Sequence, residues 1–311
     1  MAEIAVLYKT MITSGMMSMG TYNLIFAMKN YLKSPPHYSA KPYHPLNSAV
    51  SFKKHTQLFL MLIFLSISFI HQTLISTDTD LLLKGSTPVH KFISLQYAAV
   101  ILLFIVLCVS LLVSESTQLL PFSNDLFFGV ASGIFFLEYY VSFSAAEFQI
   151  SDLQAHCDSV SGRISALSSL LCFLLACFPK LFVADVALSA SLILQGFWAM
   201  QTGLTLYVDA FVPEGCHKLL DVVSGVEGST RCDLDDSKFR AVAILDLMFL
   251  VHVFFVMLIV LIVYALVTKT VGVRSSRFGS YEALPTVVSA STSTITDSNH
   301  IQMKALTGTQ A

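Results

Sequence analysis

The residues with the most chemical reach sit where charge is scarcest. Glu138 lies in the middle of a long apolar run, Asp246 and His252 lie in another, and Gln195, Trp198 and Thr202 in a third. A carboxylate at mid-bilayer costs about 3 kcal/mol on insertion scales. Glu138 is therefore either a proton- or cation-binding group or a neutral acid hydrogen-bonded between helices. Asp246 and His252 are six residues apart. On a helix that puts them on different faces and about 9 Å apart along the axis, so they do not pair with each other. Asp246 is expected to pair across helices or with Arg240, in a structural role. Ser191, Gln195, Trp198, Thr202, Thr205 and Asp209 follow one another at steps of three or four. That spacing predicts one side of an α-helix. In lipid such a side must turn toward other helices or trapped water. Glu138, Gln195, Trp198, Thr202, Asp246 and His252 together form the candidate intramembrane polar site.

Metal and hydrolytic chemistry find little support. His71, His90 and His156 each stand near a span end, and Asp152 and His156 are at i,i+4, where a helix brings them together as a local contact. Transition-metal sites need three or four convergent ligands, and the chain has no His-x-x-x-His. A seven-span metal hydrolase of the ceramidase type would draw on His71, Glu138, Asp246 and His252, whose depths do not agree. There is no nucleophile elbow, phosphate loop or dinucleotide fingerprint. The expectation is a non-enzymatic protein without cofactor or metal.

The elements that must position these groups follow from composition. Of 311 residues, 55% are hydrophobic and 12% charged, against about 25% charged in a soluble domain. The net charge of −2 gives no basic field to hold nucleic acid. A membrane-spanning helix needs about 20 apolar residues. Seven runs qualify, near Thr10–Met28, Leu58–Ile75, Phe92–Val113, Leu126–Phe143, Ile164–Phe178, Val186–Val208 and Ala241–Val267. The first is the least apolar; it is expected to stay as a span rather than serve as a cleaved signal, with six spans as the alternative if it stays interfacial. The fold class is all-α, a bundle of about seven transmembrane helices over residues 1–267. The fifth and sixth runs, joined through Pro179–Asp185, should form a tight antiparallel hairpin. Small residues mark expected helix contacts: Gly129 and Gly133 on the fourth run, Ser165, Ser169, Cys172 and Ala176 on the fifth, Gly196, Ala199 and Gly203 on the sixth.

Lys29, Lys33, Lys41, Lys53 and Lys54 follow the first run, and Lys269, Arg274 and Arg277 follow the last. The positive-inside rule then places the C-terminus in the cytosol, the mirror topology being the alternative. On the opposite side Cys216 and Cys232 bracket an acidic loop. In an oxidising compartment they would form a disulfide closing a loop of about 15 residues, adding about 3 kcal/mol. The alternative is two free thiols. Residues 268–311, rich in Ser and Thr, are expected to be a disordered cytosolic tail. Within it Tyr281 to Leu284 has the Tyr-x-x-apolar form of a sorting signal.

Gln195-Gly196-Phe197-Trp198, Pro213-Glu214-Gly215-Cys216, Arg231-Cys232 and Arg240, in that order and spacing, resemble the plant branch of the transmembrane protein 45 family, also called domain of unknown function 716. The resemblance extends from the first span to the last and excludes the tail. It implies a multi-span protein of endomembranes or plasma membrane with no established activity, loosely attached to viral or stress responses. Family members carry several histidines at the end of the fourth span and beyond. Ser142, Ser144 and Phe148 stand at those places, and only Asp152, Gln154 and His156 keep the final acidic-x-Gln-x-His portion. Any role of the family's histidines therefore does not carry over. The expected function is action through membrane lipids or protein partners, in a stress or defence setting. The alternative is a proton-linked transporter or channel for a small solute, with Glu138 as its titrating group.

Overall fold

The structure is a computed structural model that describes residues 2–45, 55–77, 88–117, 122–149, 151–218 and 230–271. Among the described residues seven long helices follow one another: α1 (Ala2–Lys33), α2 (Thr56–Thr77), α3 (Pro88–Ser116), α4 (Asn124–Phe148), α5 (Asp152–Cys177), α6 (Phe182–Tyr207) and α7 (Asp235–Val271). Between α6 and α7 a short antiparallel hairpin pairs β1 (Cys216–Lys218) with β2 (Thr230–Cys232). The chain is an all-α membrane protein: α2 to α7 are each long and apolar enough to cross a bilayer. The remaining helix, α1, matches them in length, and Thr10, Thr13, Ser14, Ser18 and Asn23 make it less apolar. The tail, with Tyr281 and Leu284, lies outside the described residues, as do Asp221, Glu227 and the side chain of His90.

Where the helices begin differs from the apolar runs in one place that matters. The fifth run starts at Ile164, whereas α5 starts at Asp152. Ser151 caps it, its hydroxyl accepting from the Gln154 amide at 3.4 Å, and Asp152 places negative charge at the positive end of the helix dipole. The first three turns alternate buried Leu153, Cys157 and Val160 with polar residues, so apolar counting alone misses them. Ser123 caps α4 in the same way, accepting from the Leu126 amide. The hairpin between α5 and α6 is as short as expected, Cys177 and Phe182 being separated by four residues.

The bundle is assembled from neighbouring pairs: α4 on α5, α1 on α6, α2 on α3 and α5 on α6, with α7 laid against α1, α5 and α6. Its outer side is apolar. Leu247, Leu250, Phe254 and Leu261 of α7 all point away from the other helices, as a lipid-facing surface must. At 37 residues, α7 is about 55 Å long, well beyond a hydrocarbon core of about 30 Å.

Glycines let α1 and α6 approach closely. A Cβ on Gly20 would meet Ile193 Cγ1 at 2.7 Å and the Ser189 carbonyl at 2.8 Å; one on Gly196 would meet Met17 Cγ at 2.8 Å; one on Gly203 would meet Lys9 Cβ at 3.0 Å. Lys9 opposite Gly203 and Gly20 opposite Ile193 fix the pair as antiparallel. The expected Gly129–Gly133 contact does not form. A Cβ on either glycine meets nothing within 4 Å, so this pair faces outward from the bundle. Two positions four residues apart define a helix face and leave open which way that face turns.

At the end of the bundle opposite the hairpin, the chain between α1 and α2 folds onto the helix ends. The Ala40 amide donates to the Pro179 carbonyl at 2.8 Å, and the Tyr38 hydroxyl donates to Asp185. Burial and that carboxylate together push the Tyr38 phenol upward. The Tyr43 hydroxyl donates to Glu115 at 2.8 Å, and burial with Glu115 raises its phenol too. The His44 amide donates to Gln57, whose own amide donates to Asn23. His44 is buried, and burial beside Lys41 pushes its imidazole down to about 4.

Two outcomes follow for purified protein in micelles. Gly20→Val or Gly196→Val should destabilise by about 1–3 kcal/mol through overpacking, whereas Gly133→Leu should stay within about 0.5 kcal/mol, both read from thermal unfolding. The unfolded chain protonates its histidine before folded His44 does. Stability tied to His44 is thus present above about pH 6.5 and is lost as pH falls toward about 4. His44→Gln should flatten the unfolding profile across that window.

Candidate functional site

Three helices meet at their midpoints through polar atoms. Glu138 lies near the middle of α4, Ser165 near the middle of α5 and Gln195 near the middle of α6. The Gln195 amide Nε2 donates to Glu138 Oε1 at 3.0 Å and to Ser165 Oγ at 3.1 Å. Ser165 donates its own hydrogen to the Ser161 carbonyl at 3.2 Å. Gln195 thus links α6 to both α4 and α5 at mid-membrane depth, where no water competes for the bonds.

The contact continues along the three helices. Ser168 and Ser191 hydroxyls lie 2.9 Å apart, and Ser132 and Ser169 exchange bonds with each other's carbonyls at 2.9 Å. Toward the hairpin end, Trp198 Nε1 donates to the Cys157 carbonyl at 3.0 Å. Thr202 is buried one turn further along the same face of α6. Trp198 is 1% exposed, which makes it the largest of the fully buried side chains. Its ring stands edge-on to Phe249 and His252 of α7, with centroids 5.7 and 6.5 Å away.

Of the six residues read from sequence as one polar site, the structure brings Glu138 to Gln195 and places Trp198 and Thr202 next along the same face of α6. Asp246 and His252 belong elsewhere. Asp246 pairs with His156 of α5 at 3.0 Å, its side chain 58% exposed. The His252 ring stacks on Phe197, and its Nδ1 finds no partner. Asp152 does not meet His156, one turn away; it takes Lys238 of α7 at 2.9 Å. Arg240 takes the Glu214 carbonyl at 2.7 Å rather than Asp246. All three interactions join α7 or its approach to the hairpin end of the bundle. There Cys216 and Cys232 are joined as a disulfide across the first register pair of the hairpin. Asp209 falls beyond α6 in a single 3₁₀ turn and is exposed, because the helix ends at Tyr207. The buried polar face thus runs from Ser191 to Thr205.

Sequence reasoning missed two carboxylates and undervalued one hydroxyl. Asp158 accepts from Gln149 at 3.3 Å, and Asp185 receives Tyr38. The signal for the first was present: Asp158, Ser161, Ser165, Ser168 and Cys172 repeat at steps of three and four, one face of α5. Starting the fifth span at Ile164 hid it. Ser165 was read as a small residue that lets helices approach, and it is both that and a hydrogen-bonding partner. Among the described residues, no three His, Cys, Asp or Glu side chains converge as metal ligands.

A family model described as a family of unknown function, DUF716, matches residues 124–265. The matched stretch runs from the first turn of α4 into α7, so it holds every contact of the polar seam and the disulfide hairpin. It is narrower than the first-to-last-span coverage expected from the resemblance. No curated protein matches the chain.

Trp198 offers the sharpest test of the site. Trp198→Ala should cost about 3–5 kcal/mol. Trp198→Phe, which keeps most of the volume and loses only the bond to the Cys157 carbonyl, should cost about 0.5–1.5 kcal/mol. Asp246→Asn, at an exposed pair, should cost no more than about 1 kcal/mol. Thermal unfolding of the three variants checks this order.

Proposed function

Residues 124–265 belong to the DUF716 family, whose description assigns no activity, and from that premise we propose that this multi-pass membrane protein catalyses no reaction and works through contacts with lipids or protein partners. One observation carries the reading. The polar side chains in the middle of α4, α5 and α6 bond to one another directly, at 2.9–3.1 Å, and so are spent on holding helices together. A solute path along this side of α6 would need Gln195 and Glu138 separated by water. Here they touch.

The membrane in this reading is an endomembrane or the plasma membrane, and the setting is stress or defence, by resemblance to the transmembrane protein 45 family. The C-terminus is cytosolic. The lysines at the end opposite the β-hairpin favour that orientation, as does the Cys216–Cys232 disulfide within the β-hairpin, since disulfides persist in lumenal or extracellular compartments.

Reconstitution into liposomes tests the reading against transport. The wild-type protein should show no proton or solute flux above empty liposomes. In native membranes, proximity labelling should return the same protein neighbour in repeated captures. Flux that is driven by a pH gradient and abolished by Glu138→Gln would overturn the reading.

A further inference from the structure

The mid-membrane contact has one acceptor too many. Gln195 is 5% exposed, and both hydrogens of its amide are used, one toward Glu138 and one toward Ser165. Its carbonyl oxygen Oε1 is buried and receives nothing. Beside it stands a carboxylate, a group that as an anion only accepts. An unfilled acceptor in this setting costs the full desolvation of that oxygen, and a second acceptor next to it deepens the deficit. What is lacking is one hydrogen.

The surroundings do not supply it. Among the described residues no lysine, arginine or histidine forms an ion pair with Glu138. From α5 it faces Ser165, with Asp158 two turns nearer the hairpin end. From α6 it faces Gln195. From α3 the titratable neighbour is Tyr97, whose hydroxyl donates to Ser142 at 3.2 Å. From α1, Lys9 packs against Gly203, two turns along α6 from Gln195. A metal ion fits poorly. Hard cations ask for about six oxygen ligands, and two carboxylate oxygens, one amide oxygen and one hydroxyl fall short.

We propose that Glu138 is a proton-binding site, its carboxyl taking a proton from water and sharing it with the carbonyl oxygen of Gln195. The carboxylate becomes a carboxylic acid: one O–H bond of hydronium breaks, leaving water, one O–H bond forms on Glu138, and nothing is oxidised or reduced. Protonation turns two facing acceptors into a donor and an acceptor and adds a bond between α4 and α6. The site needs no through-path and stands whether or not the protein carries a solute.

Dicyclohexylcarbodiimide, an apolar reagent for protonated carboxyls, tests this on the full chain in lipid nanodiscs, read by peptide mass mapping. At about pH 7, where ordinary carboxyls are ionised, Glu138 should be labelled at least tenfold more than Asp152 or Asp246, by about that order of magnitude. The labelling should fall as pH is raised and ignore added sodium chloride. Infrared spectroscopy supplies a second readout that needs no reagent access: a protonated-carboxyl stretching band present in the wild type and lost in Glu138→Gln. Absence of both the label and the band overturns the proposal. Protection of Glu138 by sodium at constant pH overturns it as well, because the site would then hold a metal cation.

Discussion

A polar atom inside a bilayer has no water to fall back on, and this requirement organises the bundle. A carboxylate in the middle of α4 must find donors on another helix. Gln195 provides one from α6 and gives its other amide hydrogen to Ser165 of α5. Once those bonds form, α4, α5 and α6 are held at one depth and one rotation about their axes. A helix sliding by one turn, about 5.4 Å, would break all of them together. Apolar packing between lipid-embedded helices gains little from the hydrophobic effect, because lipid tails are as apolar as leucine. Directional bonds and close backbone approach therefore set the arrangement.

The other contacts extend this core outward. On one flank of α6, glycines let α1 approach until Gly196 and Met17 are in contact. On another, Trp198 fills the space between α5 and α7 and spends its one hydrogen on the Cys157 carbonyl. The hairpin end is then fastened by ionic and covalent links: Lys238 to Asp152, His156 to Asp246, and Cys216 to Cys232. The opposite end is closed by the chain between α1 and α2, which lends Tyr38 to Asp185 and the Ala40 amide to Pro179.

Much of this was legible in the sequence, and the reasons are physical. Seven apolar runs became seven helices because backbone groups in hydrocarbon have few other ways to be satisfied. The polar face of α6 was readable because a helix turns at a fixed 3.6 residues, and five of its six residues are buried. What spacing could not supply is the partner. Gly129 and Gly133 have the form of a packing motif and face outward, while Gly20, in the least apolar run, makes the tightest approach of any described helix glycine. Asp152 stands one turn from His156, yet each reaches to α7 instead, because long-range packing had already brought Lys238 and Asp246 within reach. Asp158 went unread for a simpler reason: hydropathy ends a span where polar residues begin, and α5 continues past that point on the strength of its Ser151 cap and three buried apolar residues.

The central claim is that Glu138 and Gln195 bond directly and hold α4 to α6. A double-mutant cycle measures that bond: unfolding free energies of the wild type, Glu138→Leu, Gln195→Leu and the double variant, all in the same micelles. A direct bond requires that the single losses fail to add, with a coupling of about 0.6–2 kcal/mol. Losses that add within about 0.3 kcal/mol would mean that the two side chains do not meet, and would contradict the account.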